Sequence, residues 1–119
     1  MIDLRIMVAG VALLAVAGCA SNDPVPGEQM RLTEQALTQA KAVGATDELA
    51  EFRMAGEKYQ AAKNALAEQE NKKARQLAEQ AELDARLAEA KVLTHKSTEQ
   101  FAEQGKSINR LRKQLGGLQ

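Results

Sequence analysis

Cys19 is the only cysteine in the chain, and its thiol is the side chain with the clearest chemistry. It lies where the apolar residues 6–17 give way to the polar, turn-forming sequence "ASNDPVPG". A single thiol cannot form an internal disulfide, and no histidine nearby offers it a shared metal ion. Cys19 is therefore either incidental or the target of an enzyme that recognises the residues around it.

The residues before Cys19 have the order of a secretory signal, with a short polar opening followed by an apolar run. The twelve residues of that run would extend about 18 Å as a helix, too short for the roughly 30 Å hydrocarbon core. The sequence Val16-Ala17-Gly18-Cys19 resembles a bacterial lipobox, in which the thiol receives a diacylglycerol and the chain is cut just before it. The alternative is an ordinary signal peptide that is cut near an idle cysteine.

Lipidation of Cys19 would anchor the mature chain to a membrane without spanning it. Each buried methylene of an acyl chain contributes about 0.8 kcal/mol, so two or three chains hold a protein firmly. The next residue is Ala20 rather than Asp, which resembles the outer-membrane export signal of Gram-negative lipoproteins. We therefore expect a lipid-anchored protein at the outer membrane, facing the periplasm. The inner membrane remains the alternative.

The sequence predicts three segments. Residues 1–18 form a lipoprotein signal peptide, and residues 19–27 form the lipidated cysteine and a flexible tether rich in proline and small polar residues. Residues 28–119 form an alanine-rich helical domain, because helix formers fill this part and strand formers are nearly absent. The expected fold class is all-α, with an elongated antiparallel hairpin, a short N-terminal helix and a long projecting C-terminal helix.

Hydrophobic spacing locates the first two helices. Met30, Thr33, Leu37 and Ala40 share one face of a helix over about 28–43, which Gly44 can end. A second helix is predicted over about 47–68, with Thr46 and Asp47 as candidate N-caps. Its buried face consists of Phe52, Ala55, Tyr59, Ala62 and Leu66.

The third helix carries a regular alanine spacing. Steps of four and three residues connect Ala74, Ala78, Ala81, Ala85, Ala88 and Val92. Small residues at this spacing favour a closely packed partner helix. Residues 68–71 are interpreted as the turn of the hairpin, with Asn71 as N-cap. The alternative is one unbroken helix over about 47–115.

A second heptad pattern follows after about Lys96. Phe101, Ile108 and Leu115 are seven residues apart, and Leu111 and Leu118 occupy the other apolar position. This pattern predicts that the C-terminal third turns a different face to any partner, and it is compatible with a homo-oligomer through these heptads. Gly116 and Gly117 should end the helix.

Residues 37–91 carry a resemblance to a known family. The sequences "AKAVGA" at 40–45 and "ARQLAEQAELDARLAEA" at 74–90 are similar to DUF4398, a family of small alanine-rich bacterial lipoproteins of unknown function. The resemblance implies an exported helical protein, found alone or ahead of an OmpA-like peptidoglycan-binding domain. The family usually has a Gly-Asp turn where this chain has Gln69-Glu70.

No residue pattern predicts catalysis. The single histidine, His95, has no cysteine or second histidine to join it, and Ser97 and Ser107 lack a glycine-rich elbow. No phosphate-binding loop is present in the sequence. We therefore expect no catalytic residues, no metal, no cofactor and no enzyme activity.

Sixteen basic residues balance sixteen acidic ones, which argues against nucleic acid as a partner. A local basic group consists of Lys106, Arg110, Arg112 and Lys113. Its simplest role is to complement the helix dipole. The alternative is contact with an anionic surface such as peptidoglycan or lipopolysaccharide. That contact would be non-covalent, since the last lysine lies inside a predicted helix.

Two functions follow from these expectations. The first is a structural or spacer lipoprotein at the periplasmic face of the outer membrane. The second is a protein-binding adaptor for an envelope assembly or peptidoglycan-synthesis machine.

Overall fold

A computed structural model describes residues 23–117, which form three α-helices and no strand. Helix α1 spans Gly27–Ala42, α2 spans Ala50–Ala67 and α3 spans Asn71–Gly116. The all-α prediction is confirmed, including the order of a short first helix, a hairpin and a long last helix.

The helices run up, down and up. Met30 packs with Ala62 and Ala78, and Ala40 packs with Ala88 further along. Helix α1 therefore runs parallel to α3, and α2 runs antiparallel to both. We call the end that holds Asp23 and the turn at 68–70 the base, and the end that holds the turn at 43–49 the top.

The core of the bundle consists almost entirely of alanine. The five predicted alanines of α3, from Ala74 to Ala88, are all 0% exposed, and Val92 is half-buried. A methyl side chain lets backbones approach closely, so the core gains packing contacts although each residue buries little area. The predicted alanine seam is confirmed.

One polar side chain is part of this core. The Thr33 hydroxyl is buried and donates to the Ala78 carbonyl oxygen of α3 at 2.9 Å. The hydroxyl oxygen of Thr33 also lies 2.9 Å from the Gln29 carbonyl oxygen of its own helix. The hydroxyl thus links α1 to α3 without leaving a buried polar group unpaired.

Gly44 ends α1 as predicted. Its φ of 107° is left-handed, and its N–H donates to Lys41 O while the Ala45 N–H donates to Ala40 O, both at 2.9 Å. This pair of bonds is a Schellman motif. The Lys96 ammonium of α3 adds a bond to the carbonyl oxygen of Val43 at 2.6 Å.

The turn between α2 and α3 uses the same backbone motif without glycine. Gln69 has φ 62°, its N–H donates to Leu66 O at 3.1 Å, and the Glu70 N–H donates to Ala65 O at 2.9 Å. The hairpin is therefore confirmed, and the alternative of one unbroken helix is wrong. Gln69 takes a left-handed conformation where the family resemblance implies glycine.

The predicted N-caps are wrong. Helix α2 begins after Leu49 and has no side-chain cap, because a backbone turn from Thr46 to Leu49 places Thr46 and Asp47 too early. Asn71 is the first helical residue of α3, and its side chain donates to the Asp23 carbonyl oxygen at 2.8 Å instead.

Candidate functional site

The lipobox residues Val16, Ala17, Gly18 and the lipidation residue Cys19 lie outside the described residues. The segment that follows them shows where the chain enters the bundle. Asp23 accepts the bond from Asn71, and its carboxylate lies 3.9 Å from the Arg75 guanidinium. Pro26 is buried. The chain therefore enters the bundle at the base, beside the start of α3.

The last part of α3 extends past the top of the bundle. Lys96 makes the uppermost hydrogen bond to the rest of the bundle, to Val43 just after α1, and residues 98–116 are exposed except for Gly105. We call residues 97–116 the projection. At 1.5 Å per residue it adds about 30 Å beyond the bundle. The predicted projecting C-terminal third is confirmed.

Large apolar side chains form a line on the outside of α3. At 100° per residue this line lies about 180° from the alanine seam. Phe101 is 69% exposed, and Leu83 and Leu115 are each 67% exposed. We call this line the outer stripe, and its large apolar members are Leu83, Leu87, Phe101, Ile108, Leu111 and Leu115.

The outer stripe was only partly predicted from the sequence. The expected heptads began at Phe101, but steps of three and four continue backwards through Ser97, Thr94, Ala90 and Leu87 to Leu83. Upstream of Phe101 the heptad pattern is not apparent from hydrophobicity, because several of its members are small or polar. The stripe thus begins on the outside of the bundle itself, so α3 does not change its face at Lys96 but carries two opposite faces.

The predicted basic group is divided between two faces. Lys106, Arg110 and Lys113 share the side of the projection opposite the outer stripe, whereas Arg112 borders the stripe. All four side chains are exposed, and Lys106 lies 3.6 Å from Glu103. A flat anionic surface could therefore contact three of the four cations at once.

His95 is exposed at the rim of an open groove at the top of the bundle. Its Nδ1 atom lies 3.4 Å from the carboxylate of Glu99 one turn later. The groove floor includes Ala45, Leu49 and Val92. No group of three or more potential metal-ligating side chains occurs within residues 23–117.

Charged side chains elsewhere join helices on the bundle surface. Hydrogen bonds from Gln29 and then Arg86 lower the pKa of Glu82, and a bond from Lys91 of α3 lowers the pKa of Glu51 in α2. Lys58 of α2 pairs with Asp84 of α3 at 2.6 Å. The bonds of Gln29, Lys91 and Lys58 join different helices and fix their alignment, whereas Arg86 and Glu82 belong to the same helix.

No helix in the described part of the chain is both long and apolar enough to cross a bilayer. This finding concerns residues 23–117 alone.

The chain belongs to the DUF4398 family, a domain of unknown function that matches residues 28–104. It is also similar to a crystal structure of a DUF4398 family protein from Pseudomonas aeruginosa PAO1. The two are 66% identical with a TM-score of 0.79, and the match covers 81% of this chain and 100% of the other. A search of curated proteins found no match. The family match ends inside the projection, whose last twelve helical residues, 105–116, lie beyond it.

Proposed function

We propose that the protein is a structural lipoprotein at the periplasmic face of the outer membrane, held by lipid on Cys19 after the lipobox Val16-Ala17-Gly18. It acts as a rigid spacer that carries the projection away from the membrane. The proposal combines the sequence of the first 27 residues with the direction in which the helices run.

The observation that supports it best is that the chain enters at one end of the rod and projects at the other. Cys19 precedes Asp23 by four residues, which reach at most about 14 Å when extended. Helix α3, of 46 residues, extends about 69 Å from the base to Gly116. A membrane anchor at Cys19 would lie beside the base, and the tip of α3 would then stand roughly 70 Å away.

A spacer needs stiffness rather than reactivity, and the bundle supplies it. Alanine packing holds α1 and α2 along the first half of α3, and interhelical ion pairs prevent sliding. The grooves in residues 23–117 are open to solvent, and none of them holds a positioned nucleophile with a base. We therefore propose a role without catalysis, metal or cofactor.

The anchor can be tested by the substitution Cys19→Ser, with Ser21→Ala as the matched control. We expect the control to be cleaved and recovered in the membrane fraction with a mass increased by lipid. The Cys19→Ser chain should remain uncleaved or become soluble. Mass spectrometry that finds an unmodified thiol in the mature wild-type chain would refute the lipoprotein proposal.

Non-covalent contact with the cell wall is part of this proposal. Lys106, Arg110 and Lys113 lie near the tip, where a spacer would meet peptidoglycan, and their attraction should weaken with salt because charges are screened over about 8 Å at physiological ionic strength. We expect detergent boiling of isolated sacculi to release all of the protein. A fraction that requires muramidase digestion would show covalent attachment and contradict this part.

An adaptor role is the second candidate, and the exposed outer stripe favours it. Such a stripe can bind another protein of the envelope or of peptidoglycan synthesis by helix packing. Photocrosslinking from Phe101 separates the two roles. A stoichiometric product with one different protein indicates an adaptor, and its absence together with salt-sensitive binding to purified cell wall indicates a spacer.

A further inference from the structure

We propose that two copies of the chain associate in parallel and in register through the outer stripe, forming a two-stranded coiled coil along the outside of α3. This goes beyond the proposed spacer role and does not depend on the lipid anchor.

The stripe is long enough for stable association. Leu83 to Leu115 spans 33 residues, about 50 Å of helix. A sustained pattern of three or four heptads is typical of coiled coils, and this stripe has between four and five. With a helix about 10 Å wide, each copy would cover roughly 500 Å², so the pair buries about 1,000 Å², the lower limit expected of a specific interface.

The order of residues along the stripe favours a second copy in the same direction. In a parallel, in-register pair each layer meets itself, so Phe101, Ile108 and Leu111 form apolar layers. The polar layers at Thr94, Ser97 and Gln104 then also pair with themselves, as a polar layer does when it fixes the register of a coiled coil. An antiparallel pair centred on the stripe would match Leu83 with Leu115 and Leu87 with Leu111. It would, however, place Ser97 against Phe101 on both sides of its centre.

The best-defined apolar layers favour two strands. Ile108 and Leu111 are neighbours in the heptad, with the β-branched residue at the a position and leucine at d. This combination is preferred in parallel dimers, whereas isoleucine at both positions favours larger assemblies.

The residues beside the stripe permit close approach of like chains. From Leu93 to Gln114 the positions that flank it carry a single charge, on Arg112. The other charges of the projection lie on the remote face, where Lys106 contacts Glu103. Further down, the flanking charges are Asp84, Arg86 and Lys91, and each is paired within its own chain, with Lys58, Glu82 and Glu51 respectively. Two copies therefore meet without a row of facing like charges.

The bundle leaves room for the partner. Because the stripe lies opposite the alanine seam, α1 and α2 would point outward from both copies. The projection also has no tertiary support in a single chain, although most helical stability in proteins comes from packing of an amphipathic face. A second copy supplies that face.

Disulfide crosslinking in intact cells that make the full chain tests the proposal, whether the chain is then recovered in the membrane or in the soluble fraction. Gln104→Cys lies on the stripe, and its matched control is Glu103→Cys, one residue away and 100° around the helix, on the charged face. We expect a disulfide-linked homodimer from Gln104→Cys, at least tenfold more than from Glu103→Cys. The unsubstituted chain, whose only thiol is Cys19, gives the background.

A second pair of variants excludes chance collision. Ile108→Glu introduced into the Gln104→Cys chain should abolish the dimer, whereas Asn109→Glu, the same charge on the next residue, should leave it. Monomer alone from Gln104→Cys, equal dimer from both cysteine variants, or insensitivity to Ile108→Glu would each overturn the proposal. A trimer with an amine-reactive crosslinker would overturn the two-stranded form.

Discussion

Residues 71–96 and 97–116 belong to one continuous helix, yet they are stabilised differently. The first part is covered on one face by α1 and α2 through alanines with no exposed area. The second part carries larger side chains, including Phe101 and Ile108, and leaves them at least half exposed. In this helix small residues therefore lie on the face that packs within the chain, and large apolar residues lie on the exposed face. This is the reverse of the usual distribution, in which large apolar side chains are buried.

The largest expected effect comes from enlarging a buried alanine. Ala81→Leu should lower the free energy of unfolding by about 1 to 3 kcal/mol, because Ala81 is 0% exposed and has no space for a larger side chain. Ala102→Leu makes the same change in the projection and should alter it by less than about 0.5 kcal/mol. Urea denaturation followed by circular dichroism checks both. Equal effects would mean that the two regions are packed alike.

The hydroxyl of Thr33 offers a finer comparison. Thr33→Val removes the bond to Ala78 O and should cost about 1 kcal/mol. Thr98 is the matched control, since its hydroxyl bonds only Thr94 O four residues earlier in its own helix. Thr98→Val should leave the denaturation midpoint unchanged. A midpoint unaffected by Thr33→Val would show that the interhelical bond contributes nothing net.

Substitutions at two helical glycines measure the stability of the bundle and the stability of the projection separately. An added methyl group at Gly56 or Gly105 meets no atom within 4 Å. Gly56→Ala should raise the free energy of unfolding of the bundle by about 0.5 to 1 kcal/mol. Gly105→Ala should instead slow amide hydrogen exchange in residues 97–116 without changing bundle unfolding. A rise in bundle stability from Gly105→Ala would show that both parts unfold together.

The smallest expected effect depends on pH. The lowered pKa of Glu82 means that its bonds to Gln29 and Arg86 stabilise the fold above its ordinary pKa of 4.5, and that this contribution is lost as pH falls below that value. Glu82→Gln should therefore cost a few tenths of a kcal/mol at pH 7 and nothing at pH 3. Glu103→Gln, in the exposed projection, is the control and should cost nothing at pH 7. A larger loss of unfolding free energy for Glu82→Gln at pH 3 than at pH 7 would contradict the predicted direction of the pH dependence.

Much of the fold could be predicted from spacing. In a helix this polar, alanines at steps of three and four indicate a face that packs against other helices. The left-handed Gln69 could not be predicted, since side chains rarely adopt that conformation and only the surrounding helices impose it. The N-cap predictions were wrong for a related reason, because backbone turns at Leu49 and Glu70 take the place of the expected side-chain bonds. The outer stripe was underestimated because Thr94, Ser97 and Gln104 interrupt its hydrophobicity.

The candidate site likewise has a part that could be predicted from the sequence and a part that could not. The lipobox is a local sequence signal, so Val16 to Cys19 could be identified without a fold, and it remains a prediction. The relation between the entry point at Asp23 and the tip of α3 requires the directions of all three helices, which residue spacing alone does not provide.

The parallel course of α1 and α3 determines how the molecule bears a mechanical load. A pull applied between Asp23 and Gly116 draws α1 towards the base and α3 towards the tip. The two helices would then have to slide past one another along the whole length of α1, with the Thr33 hydroxyl and the alanine contacts opposing the movement together. An antiparallel first helix would instead peel away one contact at a time. This topology therefore resists tension in shear, which suits a rod pulled from its two ends.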